Sequence, residues 1–161
     1  MKLNIQFKGL DQVIANLNKK INEIEDYTTQ GVVAAALLVK GEAMRKTPVD
    51  LSNLVNSAYV VWNRGQGSDG SESPSFKGDK AAEMGSQHGI VRAAAQTSLK
   101  PEKGPTAIIG FTAAYAVYVH EIDKNYRKPG SSWKFLELAL MENEQKILDL
   151  IKQSVKKGAQ K

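Results

Sequence analysis

The sequence predicts an α+β fold: a small, mainly antiparallel sheet packed by two N-terminal helices and a long C-terminal helix, with a long inserted loop between two strands. Three observations lead there. Apolar residues recur at steps of three and four near both ends of the chain. Two middle segments, residues 54–62 and 106–112, are rich in β-branched and aromatic residues. Between those segments roughly forty residues show little periodicity, far more than a strand-to-strand connection needs.

The chain has 161 residues, 42% of them hydrophobic. That suits a single domain over residues 1–161 with one core, and residues 64–105 as its long loop or insertion. There is no cysteine, which removes thiol catalysis, disulfide staples and thiolate zinc sites and fits a reducing compartment. The opening residues lack the apolar stretch of a secretory signal, and no run reaches the roughly 18 apolar residues of a membrane span. The net charge is +5. Acidic and basic residues are interspersed, so the charge reads as solubility rather than a nucleic-acid footprint. The one clear excess is C-terminal, where Lys146, Lys152, Lys156, Lys157 and Lys161 face Asp149 alone.

Element by element, Leu3, Ile5 and Phe7 alternate with polar residues and predict a half-buried strand, which Gly9 breaks. Leu10, Val13, Ile14, Leu17, Ile21 and Ile24 then follow helical spacing, with Asp11 at the favourable end of the helix dipole. A turn is expected at residues 26–29. A second helix follows through Val32, Ala36, Leu37, Ala43 and Met44, where the alanines and Gly41 permit close approach of another backbone. Arg45 and Lys46 suit its last turn, and Pro48 ends it.

Residues 54–62 make a strand whose second half, Tyr59 to Trp62, is apolar on both faces, so both faces need cover from a helix or another subunit. Residues 106–112 make its partner, with Gly110 marking a bulge or a close contact. A short helix is expected around residues 91–95. Tyr115, Tyr118, Val119 and Ile122 sit at helical spacing, though a strand remains open. Ser131 or Ser132 can cap the last helix, which carries Phe135, Leu136, Ala139, Leu140, Ile147, Leu148, Ile151 and Val155 over roughly 35 Å.

Catalytic chemistry is hard to find, and no enzyme, cofactor or metal is expected. Gly65, Gly67 and Gly70 spell a dinucleotide fingerprint, but no helix opens behind them to meet a pyrophosphate. His88 and His120 read as structural, since His120-Glu121 lacks the second histidine of a zinc helix. Glu23/Glu25 and Glu142/Glu144 are two apart on helices and share no face. Trp62, Tyr115, Tyr118 and Trp133 are not interleaved with basic residues as a base-stacking platform would require.

Two stretches point further. Thr47-Pro48-Val49-Asp50-Leu51-Ser52-Asn53-Leu54-Val55-Asn56-Ser57 resembles the TPVDTGxLRxS signature of the HK97 gp10-like family of tailed-phage proteins. Tyr115-Ala116-Val117-Tyr118-Val119-His120-Glu121, followed by Lys134-Phe135-Leu136-Glu137-Leu138-Ala139-Leu140, resembles that family's YAxYVHE and KFLExAL patterns. The resemblance spans nearly the whole chain except residues 64–105. Leu51-Ser52 stands where the family has Thr-Gly, so a special glycine conformation is not expected there. The resemblance implies a virion protein at the head–tail interface, joining, neck or tail-completion, that forms rings with copies of itself and contacts neighbouring head-completion and tail proteins. DNA would be at most the content of its channel, and no catalytic residue carries over. The rings of Tyr115 and Tyr118 would be buried with their hydroxyls paired, and Trp133 and Phe135 would anchor the last helix. A tail terminator or other minor capsid protein is the alternative, and a basic nucleic-acid-binding domain is the second.

Candidate contact residues are Tyr59 and Trp62 on the two-sided strand, with Arg64, Phe76, Lys77, Ile90 and Arg92 in the long segment. That segment has apolar anchors and nearly balanced charges. It is therefore expected to order on neighbouring subunits rather than line a DNA channel, which would want a one-signed surface.

Overall fold

The computed structural model describes residues 10–65, 69–100 and 104–160; the strand expected at Leu3 to Phe7 lies outside them. The architecture is α+β. Helix α1 (Leu10–Lys46) is followed by a one-turn helix α2 (Asn53–Asn56), strand β1 (Ala58–Trp62) and helix α3 (Ala81–Ser98). Strand β2 (Ala107–Phe111), α4 (Ala116–Glu121), α5 (Phe135–Glu142) and α6 (Glu144–Gln160) complete it.

The two expected N-terminal helices are one helix of 37 residues, about 55 Å long. No turn forms at residues 26–29. Thr28 and Thr29 bend their hydroxyls back onto the carbonyls of Ile24 and Glu25, at 2.7 and 2.9 Å. These threonines thus find partners one turn back, inside the helix, and do not divert the backbone into a turn.

Helix α6 lies antiparallel along α1, and glycine sets how close they come. A Cβ on Gly31 would stand 2.8 Å from Cβ of Ser154 and 3.0 Å from Cα of Ile151. One on Gly158 would stand 3.0 Å from Cβ of Tyr27 and 3.1 Å from Cα of Ile24. Gly41, expected to serve this purpose, has no such neighbour within 4 Å. The last helix is not continuous as expected. It breaks at buried Asn143, whose side-chain amide donates to the Ala139 carbonyl at 2.9 Å while its own carbonyl accepts from Ile147 N–H.

Among the described residues the sheet has two antiparallel strands, with Tyr59 opposite Gly110 and Val60 opposite Ile109. β1 is shorter than expected because Asn53–Asn56 coils into a helical turn first. Two strands alone are marginal in water and need packing on their faces. Ala58, Val60 and Trp62 share the face of Ile109 and Phe111, which joins a core of Val39, Ala43, Leu54, Ala113, Ala116, Phe135 and Ala139. The Phe135 ring meets Phe111 edge-on at 5.0 Å. Tyr59 and Val61 face the other way, where Tyr59 meets His88 of α3 edge-on at 6.5 Å. Its ring also closes over Gly110, where a Cβ would stand 2.7 Å from it. Both faces of β1 are therefore covered within this chain.

The outer edge of β1 is closed too. The Val60 N–H donates to the Asp69 carboxylate, and the Trp62 carbonyl accepts from Gln96 Nε2 at 2.9 Å. An edge so occupied cannot template another strand. The segment expected to be a loop at 64–105 thus contains an 18-residue helix, longer than the short one expected within it.

Ser131 and Ser132 do not cap α5, which starts at Lys134 in the left-handed conformation without a side-chain cap. They close α1 instead. The Ser132 N–H donates to the Lys46 carbonyl at 2.9 Å, and Lys128 Nζ donates to the carbonyls of Arg45 and Thr47 at 2.7 and 3.2 Å. Ser52 has φ +66°, the left-handed conformation that glycine adopts without strain.

Gly31→Ala should lose about 1–3 kcal/mol, because backbone and Cβ atoms of α6 must move. Gly41→Ala, in open space on the same helix, should gain up to about 1 kcal/mol. Urea unfolding of both checks the pair, and equal effects would reject the close α1–α6 seam. Ser52→Gly should gain roughly 0.5–1 kcal/mol by relieving the left-handed strain, read as a raised thermal midpoint.

Candidate functional site

Two constellations stand out, one buried and one open. The buried one centres on Asp69, whose side chain is fully enclosed. Its Oδ2 accepts from Lys40 Nζ of α1 at 2.9 Å and from the Val60 N–H of β1. Its Oδ1 accepts from the Ser71 hydroxyl, from the Ser71 N–H at 3.2 Å and from Arg92 of α3 at 3.4 Å. Burial alone would raise this carboxyl, but the donors from Ser71, Lys40 and Val60 outweigh it and hold the carboxyl below its ordinary value. Arg92 also reaches Glu72 at 2.9 Å.

His88 adjoins this cluster and is almost fully buried. It sits on α3 rather than in irregular chain. Its Nε2 meets the Ser71 carbonyl, so that nitrogen carries the proton, while Nδ1 lies 2.9 Å from the Thr112 hydroxyl. Phe76 packs on its ring at 6.0 Å. Acid, serine and histidine are neighbours here, yet histidine touches the serine's carbonyl and not its hydroxyl. That hydroxyl donates to the Asp69 carboxylate instead. The cluster joins α1, β1, α3 and the turn at Asp69.

The open constellation is a groove of about 890 Å³ at the C-terminal end of α1. Pro48, Val49, Asp50 and Leu51 form one wall, Lys77, Asp79 and Lys80 another, and Tyr115, Val119 and Tyr126 a third. Asn53 fixes the second wall by exchanging two bonds of 2.8 Å with the backbone of Lys77, and Asn56 holds the Ser75 carbonyl at 2.6 Å. The Tyr126 hydroxyl lies 3.0 Å from the carbonyls of Val119 and Ile122, tying the loop to α4. Burial, and then the Asp50 carboxylate, raise the Tyr115 hydroxyl above its ordinary value. Of the groove residues Val49, Leu51 and Tyr115 are exposed; Val117, Tyr118 and Ile122, outside its lining, are exposed too, Tyr118 at 70%. The expected burial of the Tyr115 and Tyr118 rings is therefore not found.

Of the motif residues, Pro48, Val49, Asp50 and Tyr115 meet at this groove. His120, Phe135 and Leu136 point to the core side, where the His120 ring meets Phe135 edge-on at 4.9 Å and bonds Glu121 at 2.7 Å. Of the contact candidates, Tyr59 and Arg92 are used inside the chain, against α3 and Asp69. Arg64 pairs with Glu25. Trp62 lines a smaller hollow of about 520 Å³ against α1, Lys77 lines the groove, and Ile90 is 70% exposed. Among the described residues no group of three or more His, Asp or Glu side chains is placed to hold a metal ion, and no helix is long and apolar enough to cross a membrane.

Sequence reasoning counted Asp69 only as one charge in a balanced loop. The available signal was Asp69-Gly70-Ser71, since aspartate two residues before a bonded N–H is an Asx turn.

Asp69→Asn should cost about 3 kcal/mol, because Lys40 and Arg92 lose their counter-charge in a buried setting. A lowered folded pKa means that this stability is complete above the ordinary carboxylate value and is lost as pH falls through the lower folded value. Urea unfolding from neutral pH into acid should show a shallower acid loss in the variant. An unchanged acid profile would remove Asp69 from its central role.

Comparison with protein-family models, with curated proteins and with solved structures finds no match to this chain.

Proposed function

We propose that this chain is a structural component of a tailed-phage virion at the head–tail interface, acting through contacts with copies of itself and with neighbouring virion proteins. One observation carries the reading. The two resembling segments converge on one groove, Pro48 to Leu51 from the first and Tyr115 and Val119 from the second, and of these Val49, Leu51 and Tyr115 are exposed. Exposed apolar residues in a groove with charged residues beside them suit a protein contact. Ser52 adds support, because it takes the backbone conformation to which the signature's glycine is suited.

The two-sided apolar strand no longer argues for a ring, since α1 and α3 cover it. Self-assembly into a ring rests on the groove rim and on the resemblance. Lys152, Lys156 and Lys157 are exposed on α6, as flexible point charges that suit an acidic protein face and not base recognition.

Val49→Glu with Leu51→Glu should leave a folded chain, since both groove side chains are exposed to solvent, but should abolish its incorporation into particles. Quantitative peptide mass spectrometry of purified particles measures this, and electron cryomicroscopy places the wild-type chain on or off the tail axis. Normal incorporation of the double variant would reject the groove as the contact. A wild-type chain absent from virions, or present as one off-axis copy, would reject the function.

A further inference from the structure

The seam that holds α6 against α1 does not end where α6 ends. Gly158 lies against Ile24 and Tyr27, so α6, which stops at Gln160, finishes about level with Glu23. Toward its N-terminus α1 continues past that point for roughly 20 Å. On the same helical face it presents Val13, Ile14, Leu17 and Ile21, which are 54, 46, 57 and 52% exposed. These residues stand three and four apart, in phase with Ile24 and Gly31 of the covered seam. Scattered exposed apolar residues need no explanation, but a stripe continuous with an established helix interface does.

We infer that this stripe is a contact between two copies of the chain, the second copy's α1 lying antiparallel on the first and continuing the line of α6. Three features favour a second copy in that orientation. A helix running antiparallel to α1 runs in the direction of α6, so its N-terminus meets the C-terminus of α6, and the two helix dipoles attract. Asp11, in the first turn of α1, then comes near Lys156 and Lys157 at the end of α6, and opposite charges face each other at both ends of the pair. Finally, the stripe is self-complementary. A second α1 that begins beyond α6, near Ile21, sets Ile14 of one copy against Leu17 of the other, and the reverse, with Asn16 and Asn18 flanking. Such an isologous contact closes as a dimer. The inference is independent of the virion reading, which concerns the opposite end of α1.

The absence of native cysteine makes the test direct. Full-length chains carrying Ile14→Cys and Leu17→Cys are mixed under mild oxidation, with exposed Gln153→Cys on α6 as control. The mixed disulfide, joining position 14 of one chain to position 17 of the other, should form well above the control and above either variant alone. Sedimentation equilibrium should show a monomer–dimer system for the wild type and a loss of at least tenfold in association for Leu17→Glu. A wild type that stays monomeric from micromolar to millimolar concentration overturns the inference. So does cross-linking no faster than the control, and so does equal self-cross-linking of each single variant without preference for the mixed pair, the pattern of a parallel contact.

Discussion

The carboxylate of Asp69 is the point on which the assembly of this chain turns. A two-stranded sheet has little stability of its own, and β1 offers an outer edge that could pair with any passing strand. The Asp69 side chain occupies that edge by accepting the Val60 N–H, and it draws in Lys40 from α1 and Arg92 from α3 at the same time. The helix on each side of β1 is thereby pinned through one buried anion. Removing such a charge from water is costly, and the cost is met only because each oxygen finds several donors. The turn that delivers Asp69 must hold its shape, which the Ser71 hydroxyl and N–H ensure.

The second constraint is distance. Helices α1 and α6 approach so closely that glycine is required at Gly31 and again at Gly158, one on each helix. Close approach brings backbone and short side chains into contact along the seam, where summed dispersion replaces the burial of large side chains. The large apolar side chains are concentrated at the other end, where Phe135 and Phe111 fill the space between α5 and the sheet. The chain therefore has a packed end, with the sheet, α3 and α5, and a slender end made of two helices and then one.

Much of the fold is legible in the sequence where a single physical signal dominates. Helical spacing places α1, α4 and α6, and β-branched runs place β1 and β2. Legibility fails where a polar residue finds a partner that sequence order does not show. Thr28 and Thr29 read as a turn but bond back into the helix. Asn143 reads as helix interior but breaks the last helix by holding the Ala139 carbonyl. Helix α3 was legible only in its second half, as a short helix around residues 91–95, because Gly85 and Gly89 lower the propensity of the first half and because its anchors are polar. His88 and Arg92 fix it through Ser71, Thr112 and Asp69, partners 17 to 24 residues away. The groove was legible as two motifs but not as one place, since its first and third walls come from segments more than sixty residues apart in sequence, joined where Lys128 and Ser131 donate to the Thr47 carbonyl.

The placement of exposed apolar surface follows from this shape. A chain of this size could cover its remaining apolar residues with a shorter α1 and a larger sheet. Instead α1 carries one apolar stripe beyond α6 and, some 55 Å away at its other end, opens onto the groove rim. Solvent-facing isoleucine, leucine and valine at both ends lower the solubility of a free monomer, whereas β1 between them is covered on both faces and along its outer edge. A rigid helix with apolar ends would transmit position from one proposed contact to the other, because bending α1 would break the glycine seam against α6. Its length would thus set the separation between the two proposed contact surfaces, a property that neither the core nor the buried polar cluster requires.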